Sequence, residues 1–150
     1  QGTSFQIYLP ASGNEVAEIV EAVREMASGT GTVLLVDDEK LVLDVTRGML
    51  EKRGYTVLAV DNGAEAIETD RRNKADIEFV ILDLVMPGMS GARVYEELRW
   101  LNAGVRVILS SGYSEQELTS RFDQTGFAGF IQKPYSYQTL KKKVKKVLGG

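Results

Sequence analysis

Phe79-Val80-Ile81-Leu82-Asp83 is a nearly unbroken apolar run closed by a carboxylate. A strand apolar on both faces belongs at the centre of a parallel sheet, where helices cover it from either side. Thr32-Val33-Leu34-Leu35-Val36 reads the same way, and it too runs into acids, Asp37-Asp38. Further strands are expected at Thr56 to Val60, Arg106 to Leu109 and Gly129 to Gln132, the last bounded by Pro134. Segments of helical period separate them. After the first strand Val42, Val45, Met49 and Leu50 fall on one stripe, and Gly54 stops that helix. A second helix begins near Asn62. Ser90 caps a third carrying Val94, Leu98 and Leu101, Ser114 to Glu117 has capping-box spacing for a fourth, and Leu140, Val144, Val147 and Leu148 mark a fifth.

Strands alternating with crossover helices predict an α/β fold, and five such units make a doubly wound, five-stranded parallel sheet of flavodoxin-like (βα)5 type. Residues 1–31 stand outside the alternation. Val16, Ile19, Val20, Val23 and Met26 give one apolar face to a helix over Asn14 to Ala27, an N-terminal helical arm. A helix this short is marginal alone, so an ordered arm should bury that face on the main domain or on a second chain. Ser4 to Leu9 alternates like a strand with no nearby hairpin partner.

The 150 residues suit one main domain, and 43% hydrophobic with 26% charged residues is ordinary globular composition. Eighteen basic against 21 acidic residues leave a net charge of -3, so no nucleic acid or membrane surface is implied. Cysteine and histidine are both absent. That excludes disulfides, thiolate or imidazole metal sites and Ser/His/Asp or Cys/His catalysis, leaving carboxylates, lysine, hydroxyls and oxygen-bound cations. No apolar stretch is long enough to span a membrane and no secretory leader is visible, so a cytoplasmic setting is expected. Neither a P-loop nor a dinucleotide glycine fingerprint occurs, which argues against nucleotide binding.

Ligands of an open parallel sheet bind beyond the carboxyl ends of its strands. Asp37, Asp38 and Asp83 would meet there, and three carboxylates repel one another unless a cation intervenes. Oxygen-only ligation suits Mg²⁺, which favours phosphate-bearing partners. Asp37 and Asp38 alone could equally cap the following helix; Asp83 is what separates the two readings. Ser111, after the fourth strand, and Lys133, after the fifth, add a hydroxyl and an ammonium at the same rim. Together these groups suit phosphoryl transfer, with one carboxylate free to attack phosphorus. Taken singly, Ser111 reads as a turn residue and Lys133 as a solvated charge. Lys141 to Lys143 with Lys145 and Lys146 read as the solvated face of the last helix, or as a docking surface for an acidic partner.

As a set, Val36-Asp37-Asp38, Asp83-Leu84-Val85-Met86-Pro87-Gly88, Ser111-Gly112 and Lys133-Pro134 resemble the receiver domain of two-component response regulators over residues 32–150. The resemblance implies Asp83 as phosphoacceptor, Mg²⁺ on Asp37, Asp38, Asp83 and the Val85 backbone carbonyl, Lys133 as phosphoryl-binding cation before a cis proline, and Ser111 and Phe130 as switch residues. Serine stands where threonine is frequent, so its phosphoryl contact is expected to survive with looser coupling, and Phe130 has no hydroxyl, so burial alone must distinguish its inward and outward states. Residues 2–10 resemble the last strand of a histidine kinase ATP-binding domain. The resulting expectation is a hybrid sensor kinase fragment: 1–13 the end of the catalytic domain, 14–31 a linker helix, 32–150 the receiver, with no output domain following. Its partner would be a histidine kinase or histidine phosphotransfer domain, and residues 1–29 could drive self-association. Two other readings are a phosphorylation-independent interaction module and an aspartyl-phosphate phosphatase; a haloacid-dehalogenase-like enzyme, however, expects its nucleophile after the first strand and a second aspartate two residues on.

Overall fold

The computed structural model describes residues 13–26, 29–120 and 126–149. The arm is helix α1, Gly13–Met26; then come β1 (Thr32–Val36), α2 (Lys40–Lys52), β2 (Thr56–Val60), α3 (Gly63–Asn73), β3 (Ile77–Asp83), α4 (Gly91–Leu101), β4 (Val107–Ser111), α5 (Glu115–Thr119), β5 (Gly129–Gln132) and α6 (Tyr137–Val147). All five strands are parallel in the order β2-β1-β3-β4-β5. The order reverses between β1 and β3, which places the crevice where Asp37, Asp38 and Asp83 emerge.

Strand periodicity divides the core in two. Val33, Leu35, Phe79, Ile81, Ile108 and Ile131 face one way and meet Leu43 and Leu50 of α2 and Leu140 and Val144 of α6. Leu34, Val36, Val80, Leu82, Val107 and Leu109 face the other and meet α3, α4 and α5. The caps read from the sequence at Ser90 and Ser114 hold, their side chains accepting from Arg93 and Glu117 N–H with Ser114 completing a capping box, and Asn62, where a helix is expected to begin, caps it by accepting from Glu65 N–H.

Two expectations need correction, and a third is narrowed. The buried stripe of α2 is Leu43, Thr46 and Leu50; of the expected Val42, Val45, Met49 and Leu50 only Leu50 is on it, and the other three lie one residue before its members. Both stripes have helical spacing, and the apolar one is the more persuasive in sequence; the folded chain instead turns Thr46 inward because its hydroxyl finds a partner, Tyr135 OH at 2.8 Å. Leu41 and Val45 are left 77% and 49% exposed, an apolar patch beside the crevice. Strand β4 is Val107–Ser111, not Arg106 to Leu109; Ser110 and Ser111 are fully covered strand residues paired with β3 and β5. Finally, α1 forms, yet Val16, Ile19 and Val20 are 42–45% exposed, so the main domain does not cover that part of its face. The strand expected within Ser4 to Leu9 lies outside the described residues, as do the side chains of Val23 and Met26.

The chain enters the domain at the pole opposite the crevice. Gly29 N–H donates to the Arg53 carbonyl at 2.7 Å and Thr56 N–H to the Gly31 carbonyl at 3.0 Å, fastening the segment before β1 to the approach to β2.

Candidate functional site

Each acidic residue reaches the crevice through ordinary strand geometry. Asp37 and Asp38 follow the last residue of β1, and Asp83 is the last residue of β3, its neighbour in the sheet. One oxygen from each can lie within 4.8 Å of the others, a spacing that fits a single cation between them. Asp37 and Asp83 are buried, whereas Asp38 is more open. Asp37 does not cap α2: that helix begins after Glu39, and Asp37 Oδ1 accepts from Glu39 N–H at 2.9 Å in the turn before it.

Lys133, beyond β5 and joined to Pro134 by a cis peptide, supplies the opposing charge. Its Nζ lies 2.6 Å from Asp37 Oδ2, 3.2 Å from Asp83 Oδ2 and 3.7 Å from Glu39 Oε1. Asp83 Oδ1 accepts from Val85 N–H at 3.2 Å, which fixes the carboxylate plane and leaves its second oxygen facing the lysine. Burial is the chief cause pushing Asp83 up to about 7, aided by the Asp37 charge and opposed by Lys133 and the Val85 N–H. Lys133 is held above its ordinary value, the attraction of Asp37 and Asp83 outweighing the opposing effect of its burial. One ammonium cannot neutralise three carboxylates. The surplus negative charge, all on oxygen, fits a hard divalent cation.

Two glycines make this geometry possible. Gly88 holds the turn after Asp83 at φ +79°, where a Cβ is strained, and a Cβ on Gly91 would overlap the Asp83 carbonyl oxygen. The first turn of α4 therefore packs directly on the strand end that carries Asp83.

Ser111 and Phe130 sit beside this cluster rather than in it. Ser111 is completely buried at the end of β4, its Oγ accepting from Tyr113 N–H at 3.1 Å. Phe130, half-buried, pairs with Leu109 across β4–β5 and lines a cavity of about 220 Å³ with Leu84, Leu118 and Lys143. Val85 is 59% exposed and borders the groove that also holds Asp38, Asp83 and Lys133.

Sequence reasoning missed Glu39, Thr46 and Tyr135. Glu39 extends the acidic run Asp37-Asp38 by one and could have been read with it. Thr46 was hidden by the more apolar stripe one residue away, and nothing in the sequence points Tyr135 toward it.

A parallel sheet with three carboxylates and a bridging lysine at its switch point is a phosphoryl-accepting kind of α/β domain. The family profile described as response regulator receiver domain matches residues 33–145. The chain is 34% identical to sensor kinase CckA of Brucella abortus over 99% of its own length, and it spans 17% of that protein. It is 30% identical to chemotaxis protein CheY of Bacillus subtilis, covering 77% of this chain and 96% of that one. The solved structure of response regulator protein TrrA from Thermotoga maritima in complex with Mg²⁺ and BeF superimposes with a TM-score of 0.70 at 31% identity, over 79% of this chain and all of that one. The chain belongs to the response regulator receiver family.

Proposed function

We propose that Asp83 is the phosphoacceptor of a two-component phosphorelay, taking its phosphoryl group from a phosphohistidine on a histidine kinase or histidine phosphotransfer domain. The observation that carries this is the seat of Lys133 Nζ between Asp37 and Asp83 with Asp38 alongside. An Asp83 oxygen attacks phosphorus in line, the bond to the donor imidazole nitrogen breaks, and an acyl phosphate results. Lys133 would pair with a phosphoryl oxygen as the new bond forms. Asp37, Asp38, Asp83 and the Val85 carbonyl would hold Mg²⁺, whose chemistry is to neutralise charge on the transferring oxygens. Ser111 would exchange its bond from Tyr113 N–H for one with the phosphoryl group, and Phe130 would follow by moving into the cavity it lines.

The exposed Leu41 and Val45 of α2 and Val85, next to the crevice, form the face on which the donor docks. Alignment with a sensor kinase over nearly the whole chain supports residues 1–13 as the end of a catalytic domain, 14–31 as a linker helix and 32–150 as the receiver, in a hybrid kinase. Among the described residues no helix is long and apolar enough to cross a membrane, and the cytoplasm is the proposed setting.

The test is incubation with acetyl phosphate or beryllofluoride, with and without Mg²⁺, followed by mass spectrometry. A Mg²⁺-dependent mass gain at Asp83, absent in Asp83→Asn, is expected. Full labelling of that variant would overturn the assignment, and an unlabelled wild type would favour a phosphorylation-independent interaction module.

A further inference from the structure

Lys133 has three carboxylates within reach, and two of them matter to transfer while the third, Glu39, does not belong to the acidic cluster. Glu39 is the most exposed of the three, with 64% of its side chain open to solvent. A long flexible ammonium stem beside it needs something to hold it inward.

The turn that carries Lys133 is fastened at both ends. On one side Lys133 N–H donates to the Ser111 carbonyl at 2.7 Å, which ties the turn to the end of β4. On the other, Tyr135 OH pairs with Thr46 Oγ1 at 2.8 Å, a contact across 89 positions of sequence that ties the turn to the inner face of α2. Thr46 is 1% exposed, and the Tyr135 ring packs on the core layer beneath α2 and α6. Burial, the largest effect, raises the phenol above its ordinary value, so it stays a neutral hydroxyl at physiological pH. Tyr135 lines the same groove as Asp38, Asp83 and Lys133. The buried Ser110 hydroxyl is also near, without the geometry of a full hydrogen bond.

We infer that Tyr135, through its bond to Thr46, is a positioning residue for phosphoryl transfer, keeping Lys133 closer to Asp37 and Asp83 than to Glu39. The inference rests on the phosphoacceptor reading above. Removing either hydroxyl loosens the turn against α2 while its ring packing remains, and the ammonium then shifts its balance from the crevice toward Glu39. Transfer slows because a cation displaced by an ångström or so no longer meets the phosphoryl oxygens in the transition state.

The experiment measures the phosphorylation rate of the full chain with saturating acetyl phosphate and Mg²⁺ in wild type, Tyr135→Phe and Thr46→Val. Each variant is expected to react about fivefold more slowly, and the double variant no more slowly than either, because both remove the same bond. Adding Glu39→Gln to Tyr135→Phe should recover most of the loss, a recovery that general loosening of the fold would not produce. Wild-type rates in both single variants, or no recovery with Glu39→Gln, would overturn the inference. Thr46→Val provides the same readout should Tyr135→Phe fold poorly. A wild type that labels at Asp83 while these variants keep pace removes only this inference; a wild type that does not label removes the phosphoacceptor reading itself.

Discussion

Asp37 and Asp38 are adjacent in sequence and unequal in circumstance. Asp37 is buried and already shared between Glu39 N–H and Lys133 Nζ, so both of its oxygens have partners before any cation arrives. Asp38 is more open and has no ion pair among the described residues, so under the proposed Mg²⁺ site it is the carboxylate expected to bind the ion directly. Replacing Asp38 with alanine should therefore weaken Mg²⁺ binding more than replacing Asp37, on the order of tenfold against a few-fold, since an uncommitted carboxylate contributes its full attraction. An NMR titration of the two variants and wild type checks the ranking; equal affinities in all three would contradict it. Asp37→Ala has a second effect. It removes the shortest partner of Lys133 and should slow phosphoryl transfer even where Mg²⁺ is saturating.

Among the helices, α3 carries an unusual burden. Asp70 is 1% exposed on its inner face with both carboxylate oxygens lacking a hydrogen-bond partner, and burial raises it above the ordinary carboxylate value, with Lys74 partly offsetting. A carboxyl whose value is higher in the folded than in the unfolded chain favours folding fully only below its unfolded value near 3.8, and that contribution is lost as pH rises through the folded value. Asp70→Asn cannot ionise. It should melt higher than wild type at pH 7, by on the order of 1 kcal/mol, with the gap closing toward pH 4. Parallel thermal melts across that range test it, and a pH-independent difference would show that the ionised carboxylate is not the cause.

Legibility also differed from element to element. The central strands could be read because a strand covered on both faces has no polar positions to blur it, as in Phe79 to Leu82. Helix caps could be read because one side-chain oxygen does the work locally, as at Ser90 and Ser114. The inner face of α2 could not, since its orientation is decided by a hydroxyl pair joining Thr46 to Tyr135 from the far end of the chain. The same holds at the site: the three aspartates and Lys133 lie at strand ends and follow from topology, whereas Glu39 beside Lys133 and the Tyr113 N–H on Ser111 depend on loop geometry.

For the whole molecule the open question is what covers α1. Val16, Ile19 and Val20 present an apolar strip to solvent, and a 14-residue helix gains too little from propensity to persist alone. A second copy of the arm would cover that strip, and residues 1–29 are accordingly expected to promote self-association. Light scattering of the chain with and without those residues should give a concentration-dependent mass only for the longer form; identical monomer masses would eliminate the idea.

The bonds from Gly29 to Arg53 and from Thr56 to Gly31 place the attachment of the leading segment at the amino ends of β1 and β2, while the carboxylates lie at the carboxyl ends. A five-residue strand puts roughly 17 Å between the two. Chemistry and tether thus share no residue, so exchanging what precedes Gly29 is expected to leave the reactive pole undisturbed. The design is portable: a unit built this way serves as most of a small free-standing protein, as its likeness to CheY over 96% of that chain illustrates, or as a minor part of a large one, as with CckA.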